Sequence, residues 1–143
     1  MDINSEGYSM NLNLSKEQQI KLNKKLKSNK QTLEQYITSL VLNEIDSEYD
    51  LGEGFYYNLY LDKLFNKKNK EIDLTTNQRS VVTYLINNNK KRVSAKELYK
   101  KCWSNQGKFS IFTVRNVIKQ IRDKSHYNII TNKSNIGYSI YPN

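Results

Sequence analysis

The segment SIFTVRNVIKQIRDK, residues 110–124, decides the fold of the C-terminal half of the chain. Its apolar residues recur at spacings of three and four, which predicts a helix with one buried stripe. That stripe consists of Val114, Val117, Ile118 and Ile121. Basic and amide side chains occupy other positions around the helix, namely Arg115, Asn116, Lys119 and Arg122. The pattern fits a helix that packs on a core and presents hydrogen-bond donors outward, and it also fits an ordinary amphipathic helix with a solvated basic face.

The net charge of +9 is concentrated around this helix. Residues 1–46 carry six lysines and six acidic residues, whereas residues 90–124 hold eleven basic residues and only two acidic ones. Charge confined to one segment is typical of proteins that bind a polyanion such as DNA or RNA. The alternative is a lysine-rich surface that is merely solvated.

The composition argues against several classes of protein. One cysteine, Cys102, and one histidine, His126, exclude an internal disulfide and leave no pair with zinc spacing. No stretch approaches the ~20 apolar residues of a membrane span, and the polar N-terminus is unlike a signal peptide. We therefore expect a cytoplasmic protein without metal or cofactor. It is not expected to be an enzyme, because no acidic, histidine or serine side chains are arranged for catalysis.

The order of the elements predicts an α+β fold for the larger part of the chain. Residues 47–54 are acidic and glycine-rich, which predicts a linker. Short aromatic and apolar runs over 55–61, 63–65 and 71–74 predict a small antiparallel sheet. Three helices follow, the first capped by Thr75 or Thr76, the second capped by Ser94, and the third over about 110–124. Two final runs, at 127–131 and 137–141, predict a β-hairpin.

The N-terminal segment has a different pattern. Residues 8–14 alternate between polar and apolar, which predicts a strand, and Ser15 with Gln18 forms the capping box of a first helix. Thr32 with Gln35 begins a second helix that ends near residue 46. One strand and two helices bury little surface alone, and a lone strand has unpaired backbone groups. This unit therefore predicts a partner, most simply a second copy related by a two-fold axis.

Four motifs in the C-terminal part fit a known family in order and spacing. They are residues 72–75 (IDLT), residues 93–98 (VSAKEL) with Trp103, residues 113–124 (TVRNVIKQIRDK) and residues 137–140 (GYSI). Through them, residues 55–141 resemble the winged helix-turn-helix effector domain of OmpR/PhoB-type response regulators. The resemblance implies that helix 110–124 enters the major groove of DNA and that a hairpin wing at 131–136 reaches the minor groove.

The same resemblance implies the contact residues. Carried over by position, the groove and phosphate contacts on the third helix are Arg115, Asn116, Lys119 and Arg122. At the tip of the wing they are Asn132, Lys133 and Asn135.

The strand at 8–14 followed by two helices looks like a ribbon-helix-helix module of the Arc/MetJ/CopG type. In that family paired strands from two chains lie in the major groove, which implies base contacts from Ser9, Asn11 and Asn13. Asparagine suits adenine, because its amide can bond the N6/N7 edge twice. A module that only dimerises is the alternative.

Together these features predict a ribbon-helix-helix module over 1–46, a linker over 47–54 and a winged helix-turn-helix domain over 55–143. The predicted function is sequence-specific binding of double-stranded DNA by a homodimeric transcriptional regulator, paired through residues 8–46. Two alternatives remain: a plasmid or phage DNA-processing factor at a transfer origin or partition site, and a protein-interaction module that uses the winged helix.

Overall fold

The computed structural model describes residues 7–104 and 107–142. The chain divides into two compact units, Met1–Val41 and Leu42–Asn143. The outermost residues of the predicted domains, 1–6 and 143, lie outside the described ranges.

The first unit contains helix α1 (Lys16–Asn29) and most of helix α2 (Leu33–Ile45). Both predicted capping boxes are present: the hydroxyls of Ser15 and Thr32 accept hydrogen bonds from the backbone N–H groups of Gln18 and Gln35, whose side chains accept in return. Each reciprocal pair satisfies two backbone donors that a helix start otherwise leaves free. Neither helix contains a fully buried residue.

The strand predicted over residues 8–14 is absent from this single chain, where residues 7–15 form neither helix nor strand. A strand exists only when its backbone groups pair with a neighbour. Within the described ranges, the chain offers no such neighbour to these residues.

The second unit begins with a four-stranded antiparallel sheet in the order β1-β2-β3-β4. Its strands are β1 (Glu48–Gly52), β2 (Phe55–Asn58), β3 (Lys63–Phe65) and β4 (Glu71–Ile72). The last three confirm the predicted sheet. The buried amide of Asn58 donates to the carbonyl oxygen of Glu44 at 2.9 Å, so the last turn of α2 is bonded to the sheet.

The predicted linker over 47–54 is wrong, because β1 occupies most of it. Tyr49 and Leu51 pack against the core, while Glu48 and Asp50 are exposed. This is the two-residue alternation of a strand. The acidic residues and glycines of this segment suggest a linker when only its composition is considered. In the structure the acidic residues lie on the solvent side of the strand, and the glycines lie at its end and in the turn.

Three helices follow, α3 (Thr76–Asn87), α4 (Ala95–Cys102) and α5 (Ile111–Lys124). Thr75 caps α3 with a full capping box, and Ser94 caps α4 by accepting from the Glu97 N–H. The Glu97 side chain does not complete a box, because its carboxylate accepts a hydrogen bond from the Tyr84 hydroxyl at 2.6 Å.

The chain closes with the predicted hairpin, formed by β5 (Ile130–Lys133) and β6 (Gly137–Ile140). Its first strand starts later than predicted, because Tyr127–Ile129 form a short 3-10 turn. Val93, just before α4, pairs with Tyr138 through two backbone hydrogen bonds of 2.8 and 2.7 Å. We call the β5–β6 hairpin the wing.

One apolar core joins the sheet, the three helices and the wing. The predicted stripe of α5 is buried in it, and residues with no exposed surface include Leu51, Tyr57, Leu64, Val82, Leu98, Val114, Ile121 and Ile140. The Tyr57 ring is buried while its hydroxyl donates to Asp62, and burial raises the pKa of this phenol above its ordinary value. The core fixes the orientation of α5 and therefore which of its side chains face outward.

Candidate nucleic-acid interface

Helix α5 presents one continuous exposed face opposite its buried stripe. Successive residues of a helix are about 100° apart, so positions 112, 115, 116 and 119 share the side away from the core. All four side chains are exposed there, and we call Phe112, Arg115, Asn116 and Lys119 the outer face of α5.

Arg115 and Asn116 are the uncommitted polar groups of the outer face. Across residues 7–104 and 107–142, neither side chain has a hydrogen-bond or ion-pair partner. A guanidinium with five donors and an amide with both donor and acceptor capacity are the side chains best suited to base edges in a groove. Both remain available to a ligand.

Lys119 forms an exposed ion pair with a residue of the same helix. Its Nζ lies 2.9 Å from Asp123 Oδ2, and both side chains are well exposed. An exposed pair of this kind contributes little to stability. A phosphate group can therefore take the place of Asp123 at low energetic cost.

Arg122 differs from the other predicted contacts on α5 because the fold already uses its guanidinium. Nε and Nη2 donate to the carbonyl oxygen of Ile130 at 3.0 and 2.6 Å, and the group lies 4.7 Å from the centre of the Tyr127 ring. Arg122 therefore links α5 to the start of the wing. Lys124 is also committed, donating to Asp73 O and Gln78 Oε1 at 2.7 Å each.

The wing carries the three remaining predicted contacts of this unit. Asn132 and Lys133 are exposed at the end of β5, and Asn135 is exposed in the turn with a φ of 63°. The turn is closed by a hydrogen bond of 3.0 Å from the Ile136 N–H to Lys133 O. Its tip is thus a defined structure with polar side chains directed to solvent.

A groove lies between α5, the start of α4 and the wing. Arg115, Asn132 and Asn135 line it together with Ser94 and Ile136. Three predicted contacts from two distant parts of the sequence are therefore brought to one surface. Ser94 was not among the predicted contacts, and its N-cap signal pointed only to a helix start.

Helix α4 adds positive charge near this groove. Lys96, Lys100 and Lys101 are exposed, and Glu97 is the helix's one acidic residue. The hydrogen bond from Tyr84 is the main cause that lowers the pKa of Glu97. The nearby Lys91 lowers it further, and desolvation opposes both effects. That same hydrogen bond is the main cause that raises the pKa of Tyr84 to about 12. Glu97 is turned toward Tyr84 and Lys91 and its charge also interacts with Lys101, whereas Lys96 and Lys100 have no ion-pair partner among the described residues.

Ser9, Asn11 and Asn13 belong to the other compact unit, and all three are exposed. No strand among the described residues pairs with the segment 8–14, whose Leu14 carbonyl accepts a hydrogen bond from the Gln19 side chain. Their proposed role in a ribbon therefore stays a prediction.

Other chemistry-bearing groups are buried or scattered. Burial raises the pKa of the Cys102 thiol to about 11, so the thiol is neutral at physiological pH. Over the described ranges, no three His, Cys, Asp or Glu side chains are grouped so that they could hold a metal ion. A helix long and apolar enough to cross a membrane is likewise not found among those residues.

Among protein families, the one described as "Transcriptional regulatory protein, C terminal" matches residues 69–140. The search of curated proteins found no match. The matched range starts just before β4 and ends with β6. It includes every helix of the second unit that contributes to the groove and the whole wing.

Solved structures share the fold at low sequence identity. The DNA-binding domain of the response regulator AdeR, solved in complex with an intercistronic region, is 16% identical with a TM-score of 0.53, over 64% of this chain and 97% of that one. The response regulator DrrB from Thermotoga maritima, an OmpR/PhoB homologue, is 22% identical with a TM-score of 0.56. That match covers 74% of this chain but only 51% of DrrB. The Klebsiella pneumoniae RstA DNA-binding domain, solved with the RstA box, is 15% identical with a TM-score of 0.51 over 67% and 98% of the two chains.

Proposed function

The chain belongs to the family of transcriptional regulatory protein C-terminal domains, with an OmpR/PhoB-type winged-helix DNA-binding domain. From this premise we propose that it recognises a specific DNA sequence with α5. In this proposal the outer face of α5 enters the major groove. Arg115 and Asn116 contact base edges, and Lys119 contacts a phosphate. The wing reaches the adjacent minor groove through Lys133, Asn132 and Asn135.

The proposal rests on which side chains of α5 already have hydrogen-bond partners within the fold and which do not. Arg115 and Asn116 are exposed and free of partners over the described ranges, while Arg122 and Lys124 are committed to the fold. Base recognition needs donors that lose no existing bond when they enter the groove, because a lost bond offsets the new one. Arg122 therefore contributes to binding by fixing α5 against the wing rather than by contacting a base.

Two of the similar structures support a DNA ligand. The AdeR domain was solved with an intercistronic region and the RstA domain with the RstA box. The positive charge of residues 90–124 supports the same ligand, since phosphate contacts supply most of the non-specific affinity for DNA.

We further propose that residues 8–46 pair two chains as a ribbon-helix-helix module. The exposed apolar side chains of α1 and α2 support this, because neither helix has a fully buried residue and Ile20, Leu33, Val41 and Ile45 are between 42 and 65% exposed. The alternating segment 8–14 supplies the strand that a second copy would pair. Ser9, Asn11 and Asn13 would then face outward from the ribbon.

The test is selection of tight-binding duplexes from a random library, followed by fluorescence anisotropy at two salt concentrations. Affinity is expected to fall steeply with salt, with a log–log slope of about −0.9 per phosphate neutralised. Absence of any sequence preference at physiological salt would contradict the proposal.

Two variants separate base contact from phosphate contact. Arg115→Ala is expected to relax specificity at one base position, at a cost of about 1–3 kcal/mol for the preferred duplex. Lys133→Ala is expected to weaken all sequences equally and to reduce the salt slope by about one. If Arg115→Ala lowered affinity uniformly, its role would be electrostatic only.

A further inference from the structure

The outer face of α5 contains one side chain that the DNA contacts assigned so far do not use. Phe112 is 74% exposed, whereas its neighbour Ile111 is 38% exposed and the apolar stripe of α5 is buried. A phenylalanine ring left in water forgoes the free energy of its burial. Nothing in the described chain covers it.

The position of Phe112 on the helix is more informative than its exposure. It lies four residues before Asn116 and seven before Lys119, so it projects from the middle of the outer face and not from an edge. Arg115 is three residues away on the same face. A surface that lies over the whole outer face and contacts both Arg115 and Asn116 therefore also meets the ring of Phe112.

The chemistry of these neighbours restricts the occupant. A partner protein that covers Phe112 with apolar side chains would also bury the free guanidinium of Arg115 and the amide of Asn116, which is costly without matched acceptors. The major groove of DNA supplies hydrogen-bonding groups for Arg115 and Asn116 and an apolar group for Phe112 side by side. It offers acceptors on guanine and adenine edges and one apolar group, the 5-methyl of thymine.

We propose that Phe112 is a specificity-determining residue that contacts the 5-methyl group of a thymine in the recognised site. This inference rests on the proposed function, because it requires that α5 lie in the major groove. It adds an apolar contact to the polar ones and thereby predicts a thymine in the sequence that the protein prefers.

The helix geometry also predicts where that thymine lies. Phe112 and Arg115 are three residues apart, which is roughly 4.5 Å along the helix axis. Base pairs are stacked about 3.4 Å apart. The thymine should therefore lie within about one or two base pairs of the base that Arg115 recognises.

The experiment removes the methyl group without changing any hydrogen bond. Each thymine of a library-selected duplex is replaced in turn by deoxyuridine, and the dissociation constant is measured for the full chain. We expect about fourfold weaker binding at one or two positions, which corresponds to about 0.8 kcal/mol for one buried methyl-sized group. Phe112→Ala is expected to bind thymine and deoxyuridine duplexes equally at those positions.

Phe109→Ala is the matched control, because it removes a phenylalanine that packs edge-on against Tyr99 outside the outer face. Its pattern of deoxyuridine sensitivity is expected to equal that of the unmodified chain. Phe112→Leu, which keeps an apolar side chain, should retain part of the sensitivity. This variant also preserves the test if Phe112→Ala does not fold.

Several results would overturn the inference. One is tight, sequence-specific binding that no deoxyuridine substitution weakens, and another is sensitivity that persists in Phe112→Ala. Either would leave the proposed DNA binding intact and refute only the methyl contact. A change in oligomeric state in Phe112→Ala, with unchanged thymine preference, would assign the ring to a contact between copies. Failure of the unmodified chain to bind any duplex would refute both proposals.

Discussion

The four cations of α5 are alike in sequence but differ in what their side chains contact. Arg115 has no partner within the described chain, and Lys119 forms an exposed ion pair with Asp123. Arg122 and Lys124 donate to backbone and side-chain oxygens of other elements. A charge count around residue 115 therefore overstates the number of groups that are free to meet DNA.

The first prediction at the residue scale concerns Arg122. Arg122→Ala removes two hydrogen bonds to Ile130 O and the contact with the Tyr127 ring, and it leaves the carbonyl partly unsatisfied. We expect the free energy of unfolding to fall by about 1.5–3 kcal/mol, the range for hydrogen bonds that involve a charged group. Urea denaturation followed by circular dichroism measures it.

Arg115→Ala is the control for that measurement, because it removes the same type of side chain from an exposed site of the same helix. Its unfolding free energy should remain within about 0.5 kcal/mol of the unmodified protein. Equal stability of the two variants would show that the bonds of Arg122 to Ile130 do not hold α5 against the wing.

At the scale of elements, the wing is joined to the helix-turn-helix by a short backbone pairing. Val93 bonds Tyr138 in both directions, and the Arg92 guanidinium donates to Gly137 O at 3.3 Å. Val93 and Gly137 thereby lie in close contact immediately before α4. The same contact brings the wing to the groove that Arg115 and Ser94 line.

Gly137 is required by this contact. Its φ is 138°, and a Cβ there would lie against the Val93 carbonyl group and 2.9 Å from the Ser94 nitrogen. Gly137→Ala is therefore expected to destabilise the fold by at least about 1–3 kcal/mol, the cost of a strained backbone conformation alone. Thermal or urea unfolding measures the loss.

Gly107→Ala provides the comparison. A Cβ at residue 107 would meet only the Tyr99 hydroxyl, at 3.5 Å, which is ordinary contact. We expect no loss of stability in this variant. If both variants unfolded at the same urea concentration, the close approach of the wing to Val93 would have no energetic importance.

At the scale of the whole molecule, the unburied apolar side chains of α1 and α2 lead to a prediction about assembly. Val41→Glu introduces a charge at a position that is 51% exposed in the single chain. If two copies bury this side chain, the charge should convert a dimer to a monomer because a buried, unpaired carboxylate is costly. Sedimentation equilibrium or light scattering measures the mass directly.

Asn43→Glu adds the same charge two residues later, at an exposed position on another side of α2. It should leave the dimer intact. A monomeric unmodified chain at micromolar concentration would refute pairing through residues 8–46. Loss of the dimer in both variants would point instead to a general effect of added negative charge.

The sequence by itself determined the elements whose signals are local. The caps Ser15, Thr32 and Ser94 and the apolar stripe of α5 could be read correctly, and the cap of α3 could be narrowed to Thr75 or Thr76, because a helix start and a helix face depend on residues three or four apart. The family resemblance of the C-terminal part rests on the same local motifs, and the match over residues 69–140 confirms it.

Only the tertiary structure decided the features that depend on residues far apart in the chain. It showed that Glu48–Gly52 is a strand, because this segment pairs with β2. The acidic, glycine-rich sequence of the segment gives no sign of that pairing. It directed Arg122 to Ile130 and left Arg115 free, and it brought Asn132 and Asn135 to the groove beside Arg115. Helix periodicity identifies the side of α5 on which a cation lies, but the core packing decides which neighbour that side meets.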